Sequence, residues 1–89
     1  MHLEGTVALL TGSRRIGAVV AEALAARGVR VALTFSRSEA EARAAALRAE
    51  SHGSRALVLQ ADLTEPGACS RVVAETVDAF GRLDILVNL

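Results

Sequence analysis

The chain has 89 residues, about half of them apolar, and its acidic and basic side chains balance to a formal net charge of zero. That length holds at most one small domain, and the composition excludes a disordered tail. A neutral balance argues against a general electrostatic grip on nucleic acid or on an anionic membrane. No apolar run reaches the length of a membrane span, and the N-terminus lacks a basic-then-apolar leader pattern. The expected setting is therefore cytoplasmic, with no nucleic-acid or membrane partner.

The single cysteine, Cys69, rules out an internal disulfide framework and reads as a small buried hydrophobe on a helix stripe. His2 and His52 stand isolated, without a second ligand at metal-site spacing, and read as surface residues with no metal site. All ten basic residues are arginine, and lysine, tyrosine and tryptophan are absent. A mechanism that needs a tyrosine acid or a lysine cannot be completed within these residues.

Strand and helix patterns alternate along the chain. Thr6 to Leu10 is a continuous apolar run, as a strand buried on both faces of a parallel sheet requires. The turn Thr11-Gly12-Ser13-Arg14-Arg15-Ile16-Gly17 follows it. Ile16, Val19, Val20, Ala23 and Leu24 then recur at helical spacing, and Gly28 closes the helix. Val29 to Phe35 forms a second strand. Ser38 with Glu41 forms a capping box before an alanine-rich helix that presents Ala40, Ala44 and Leu47 and ends near His52-Gly53. A third strand, Ala56 to Leu59, follows. Thr64 precedes Glu65-Pro66, with the proline expected in a first helical turn. Cys69, Val72, Val73, Thr76 and Phe80 mark the third helix, closed by Gly81. Leu83 to Val87 is the fourth strand.

This alternation predicts an α/β fold: a partial Rossmann arrangement with a four-stranded parallel sheet in the order 3-2-1-4 and three helices. The first two helices cover one face and the third crosses to the other, because the fourth strand lies beside the first. A nucleotide crevice opens at that switch point. Residues 1–89 are read as one dinucleotide-binding domain.

The glycine turn joins a strand to a helix. There the backbone can approach a pyrophosphate closely, and unpaired N–H groups meet the helix dipole. An acid ~20 residues further on usually holds the ribose hydroxyls of NAD, whereas an arginine suits the extra phosphate of NADP. Here the second strand ends at Ser36-Arg37-Ser38, with no acid at its tip. Arg37 can pair with a phosphate, Ser36 and Ser38 can donate hydrogen bonds, and Arg14 and Arg15 add positive charge nearby. After the third strand, Asp62 of the Asp62-Leu63 pair either hydrogen-bonds an adenine amino group or stabilises the turn before Thr64. Asn88 either braces the glycine turn or is an ordinary strand end.

These residues resemble the short-chain dehydrogenase/reductase family from Gly5 to Asn88. Its members carry T-G-x-x-x-G-x-G after the first strand, D-[VL] after the third, and a fourth strand reading D-[IV]-L-V-N-N-A-G. The matching residues are Thr11-Gly12, Asp62-Leu63 and Asp84-Ile85-Leu86-Val87-Asn88. Arg15-Ile16-Gly17 looks like the subgroup with arginine at the middle glycine, which includes pteridine reductases and some 3-oxoacyl carrier-protein reductases. The resemblance implies an NADP(H) cofactor and hydride transfer between it and a carbonyl or alcohol substrate. It implies Thr11, Gly12, Ser13, Arg14, Arg15, Ile16, Gly17, Ser36, Arg37, Ser38, Asp62, Leu63 and Asn88 as the cofactor-binding set.

Two departures stand out. In relatives the last glycine lies six positions after the first, and here Gly17 lies five after Gly12. The family's catalytic serine and Tyr-x-x-x-Lys pair have no counterpart before Leu89. The chain therefore reads as a truncated N-terminal half, inactive alone, or as a nucleotide-binding or regulatory module pairing with another chain. Its exposed sheet edge, with Ile85, Leu86 and Val87, is expected to self-associate, and Val72, Val73 and Phe80 to be only partly covered.

Overall fold

The computed structural model describes residues 2–12 and 14–89. Its elements run β1 (Val7–Thr11), α1 (Ile16–Ala26), β2 (Arg30–Phe35), α2 (Glu39–Glu50), β3 (Ala56–Gln60), α3 (Ala68–Phe80) and β4 (Ile85–Asn88). The four strands form one sheet in the order β3-β2-β1-β4, and every pairing is parallel. Ala8, Leu9 and Leu10 sit opposite Val31, Ala32 and Leu33 on one side and opposite Ile85, Leu86 and Val87 on the other. Both fold class and strand order are as the alternation predicts, with element ends shifted by a residue or two.

The strands need apolar residues at successive positions because helices cover both faces. Ala8, Leu10, Val31 and Leu33 pack with α1 and α2, while Val7, Leu9, Ala32 and Leu59 pack with Val72 and Phe80 of α3. Val7, Leu9, Leu10 and Leu33 are essentially sealed from solvent.

The helix faces differ in part from the expected ones: in α1, Val20 and Leu24 pack against the core as expected, but the fully buried positions are others. α1 buries Gly17, Ala18, Ala21 and Ala25, whereas Ile16 and Val19 are each 69% exposed and Ala23 is exposed. α2 buries Ala42, Ala45, Ala46 and Ala49 and turns Ala40, Ala44 and Leu47 outward. Both helices carry apolar residues around most of their circumference, so spacing alone cannot select a face. Close approach selects it: α1, α2 and the sheet meet through glycine and alanine, which let the backbones come together.

α3 follows its pattern better, burying Ala68, Val72, Thr76 and Phe80. Val72 and Phe80 are thus covered, against expectation, while Val73 is half-exposed. Cys69 is exposed rather than buried, one position beyond Ala68, which takes the inward place. Pro66 lies in the turn, not in the helix, whose N-cap is Gly67. Gly81 closes the helix, its N–H donating to the carbonyl of Val77.

The amino-terminal end of the sheet is tied by charge. Asp84 accepts the Val7 backbone N–H at 2.9 Å and both arms of the Arg82 guanidinium at 2.8 Å. That fork, and then the Val7 bond, hold the Asp84 carboxyl below the usual carboxylate range. Arg30 donates to the carbonyls of Phe80 and Gly5, and Arg30 and Arg55 each lie 5.4 Å from the centre of the Phe80 ring.

Candidate functional site

The carboxyl-terminal ends of β1, β2 and β3 open into a cleft of about 350 Å³. Its lining comes from three connections: Thr11, Gly12 and Arg14 after β1, Ser36, Arg37 and Ser38 after β2, and Ala61 and Leu63 after β3. Thr34 and Phe35 complete it. A parallel sheet sends all these strand ends in one direction, so segments far apart in sequence converge at one crevice.

The glycine turn is compact. Gly12 has φ +139°, and a Cβ placed on Gly17 would meet the Gly12 carbonyl oxygen at 2.6 Å and its carbon at 2.9 Å. Only hydrogen fits there, so Gly17 lets the first turn of α1 press against the loop. Arg15, the N-cap position, has φ 45° and ψ −105°. A side-chain-bearing residue in such a sparsely populated region costs about 1–3 kcal/mol. Ser13, part of the expected binding set, lies outside the described residues.

Thr11 joins this loop to β4. Its hydroxyl lies 2.7 Å from Asn88 Oδ1 and 3.4 Å from the Val87 carbonyl. With one proton to give, it donates to the nearer oxygen. The Leu89 backbone N–H in turn donates to Thr11 Oγ1 at 3.3 Å. Asn88 therefore braces the loop at its strand end, through Thr11 rather than through Gly12 itself.

The tip of β2 carries no carboxylate. Ser36 has its carbonyl held by Gln60 Nε2 at 3.3 Å, and the Ala61 N–H donates to the Phe35 carbonyl at 2.8 Å. These bonds extend the β2–β3 pairing and fix the backbone before Arg37. Ser38 occupies the N-cap of α2 but makes no side-chain capping bond, so the expected capping box does not form. Its carbonyl accepts the Ala42 N–H instead, and Glu41 pairs with Arg14 Nε at 3.2 Å. A hydroxyl not used for capping stays available to the cleft that it lines.

Asp62 makes the turn bonds. Its Oδ1 accepts both the Thr64 hydroxyl at 2.6 Å and the Thr64 N–H at 3.0 Å. Those bonds, hydroxyl first, hold its carboxyl below the usual range, and the Arg37 guanidinium adds to the effect. Asp62 is not among the residues lining the main cleft. It borders a separate depression with Gln60, Glu65 and Arg71.

The structure thus gathers Thr11, Gly12, Arg14, Ser36, Arg37, Ser38 and Leu63 around one cleft. Arg15 and Ile16 border an adjoining shallow surface with Arg14. Gly17 supports the loop from below, and Asn88 braces it from the side. Thr34, Phe35 and Ala61 also line the cleft, and the sequence reading missed them. The signal was present, since a strand whose tip forms a crevice contributes its last residues too.

A family model described as short chain dehydrogenase matches residues 6–89. The chain belongs to that family. Versicolorin reductase 1 of Aspergillus parasiticus is 41% identical over 86 residues, which cover 96% of this chain and 33% of the relative. A short-chain dehydrogenase of Burkholderia cenocepacia, solved in complex with NADP, superposes with a TM-score of 0.91 at 45% identity, covering 99% of this chain and 36% of that one. A Serratia marcescens short-chain dehydrogenase/reductase gives a TM-score of 0.93 at 39% identity, covering 100% and 37%. The chain therefore spans about a third of the length of these short-chain dehydrogenases. Family membership and the NADP-bound relative support a nicotinamide dinucleotide cofactor. Among the described residues no helix is long and apolar enough to cross a membrane.

Proposed function

We propose that residues 1–89 form one NADP(H)-binding domain, serving as the adenine-side half of a short-chain dehydrogenase/reductase in the cytoplasm. The observation that carries this reading is the cleft's lining: Arg14, Arg37, Ser36 and Ser38, with no carboxylate among the described residues that line it. Guanidinium groups pair with phosphate through parallel N–H bonds, and serine hydroxyls add donors. A ribose carrying a free 2′-hydroxyl has no acid here to accept its proton. The NADP found with the Burkholderia cenocepacia relative is consistent with this choice.

The chain's residues divide the work. The close Gly12–Gly17 approach keeps backbone at the start of α1, where these residues would hold a pyrophosphate. Arg14, Ser36, Arg37 and Ser38 serve the 2′-phosphate, and Thr34, Phe35, Ala61 and Leu63 supply the walls. Ser13, Arg15 and Ile16 complete the loop set, Asp62 shapes the turn beside the adenine, and Asn88 acts through Thr11. The cofactor held by these residues would supply hydride chemistry toward a carbonyl or alcohol substrate. The proton that must accompany it needs a donor, and the chain has neither the tyrosine nor the lysine that the family uses. These 89 residues by themselves hold cofactor without turnover.

The outer edge of β4 favours a second property. Among the described residues β4 pairs on one side only, with β1, and Leu86 and Leu89 are 61% and 54% exposed. A second copy offers the same edge about a twofold axis, so each would satisfy the other's backbone groups. Leu86→Lys should shift size-exclusion elution to the monomer if this edge is the contact. Unchanged elution would remove it.

Calorimetry with NADP and NAD tests the cofactor assignment. Tighter binding of NADP is expected, and tighter binding of NAD would overturn it. NADPH with a carbonyl substrate should show no turnover. Activity that co-purifies with the protein and disappears in Gly12→Val would contradict the division of labour.

A further inference from the structure

The first turn of α2 holds two acids with different partners. Glu39 pairs with Arg43 one turn along its own helix, at 3.0 Å. Glu41 instead reaches 27 residues back to Arg14, on the opposite lip of the cleft, at 3.2 Å. The contact falls on Nε, the guanidinium nitrogen nearest the backbone. Among the described residues no hydrogen bond engages either terminal nitrogen of Arg14. A guanidinium carries five N–H donors in one plane, so fixing Nε leaves the terminal fork oriented and available.

We infer that Glu41 is a positioning residue for Arg14, holding its guanidinium across the cleft so that the terminal nitrogens are set for a phosphate group. This rests on the NADP reading above, and it assigns Glu41 to the selection of NADP over NAD. Among the described residues no ion pair braces Arg37, which lies near Asp62, whose Oδ1 accepts from Thr64. The two cations thus have different roles. Arg14 has a carboxylate partner before the ligand arrives, although its side chain is 64% exposed, and Arg37 is likewise an exposed charge, at the strand tip.

Geometry and charge make opposite demands on Glu41. Its carboxylate repels the incoming phosphate, while its oxygen orients the residue that binds it. Glutamine keeps the acceptor oxygen and removes the charge, and alanine removes both. NADP and NAD affinities of the 89-residue chain should be measured for the parent, Glu41→Ala and Glu41→Gln, with melting curves for each. The expected result is a three- to tenfold fall in the NADP:NAD affinity ratio for Glu41→Ala, with NAD affinity unchanged. Glu41→Gln should restore the ratio to within about twofold of the parent or above it. Damage to the fold would weaken both ligands together and leave the ratio in place, overturning the positioning role. An unchanged or increased ratio in Glu41→Ala would also overturn it, making the carboxylate a bystander or a competitor. A parent chain that binds NAD more tightly, or neither ligand, would instead reject the NADP reading on which the inference rests.

Discussion

The two ends of the sheet use similar side chains in opposite ways. At the amino-terminal end, Arg82, Asp84 and the Val7 N–H satisfy one another, and Arg30 is spent on two carbonyls and the Phe80 ring. At the carboxyl-terminal end, Arg14 and Arg37 face a cleft beside serine hydroxyls, and the glycine turn keeps backbone close to its surface. Charges that close on each other stabilise a fold. At the cleft, Arg14 is paired only through Nε with Glu41, and the donors left over are what the proposed cofactor site rests on. In a parallel sheet this division follows from strand direction, since the loops that gather at the carboxyl end come from segments distant in sequence.

Substitutions at the two ends should therefore separate. The largest effect is expected at Gly17. Gly17→Ala forces a Cβ against the Gly12 carbonyl, where backbone must move. It should cost about 1–3 kcal/mol in denaturant unfolding and remove measurable NADP binding. Retained binding with an unchanged midpoint would show that the turn is looser than its geometry. Next comes Arg37→Glu, which puts a carboxylate at the β2 tip. The NADP:NAD affinity ratio should fall by about tenfold or more, ~1.4 kcal/mol, with little change in stability. A constant ratio would move the 2′-phosphate away from this tip.

Arg15→Gly sharpens the comparison from the other side. The positive φ of Arg15 is strained, so glycine should stabilise the chain by about 1 kcal/mol after its greater unfolded-state freedom is offset. That corresponds to a rise of roughly 4–8 °C in melting temperature for a domain of this size. A fall would mean that Arg15 makes a contact outweighing its strain. The smallest effect is expected at Asp84→Asn. Because the Arg82 fork and the Val7 N–H lower the native pKa of Asp84, the unfolded chain takes up its proton more readily. Its stabilising effect is complete above the ordinary carboxylate range and disappears as pH falls through the lowered native value. The Asp84→Asn substitution should flatten that acid limb of the stability curve while leaving the NADP:NAD ratio unchanged. A changed ratio would break the separation between the two ends.

Much of this molecule was legible in the sequence because its signals are local. The runs Val7-Ala8-Leu9-Leu10 and Val31-Ala32-Leu33 announce doubly covered strands, and their alternation with helices dictates the strand order. The helix faces were not legible. In α1, Val20 and Leu24 reach the core, but Ile16 and Val19 stay outside while Ala18, Ala21 and Ala25 go fully inside. Burial there is set by how closely two backbones approach, and hydrophobicity alone does not report that distance. Ser38 and Glu41 carry a capping-box pattern, but Glu41 pairs instead with Arg14, which comes from a loop 27 residues away. Asp62 showed the reverse: its partner, Thr64, was two residues along, and the expected turn bonds form. Cys69 was misplaced by one position on its helix, enough to exchange an inward place for an outward one.

The division between the two ends is tested most directly by residue-resolved NMR during an NADP titration of the 89-residue chain. Saturable shifts are predicted at Thr11, Gly12, Arg14, Ser36, Arg37, Ser38 and Leu63, while Gly5, Arg30, Arg82 and Asp84 remain in place. Shifts centred on the amino-terminal cluster, or no saturable shift at either end, would contradict the assignment of the carboxyl-terminal cleft as the nucleotide site.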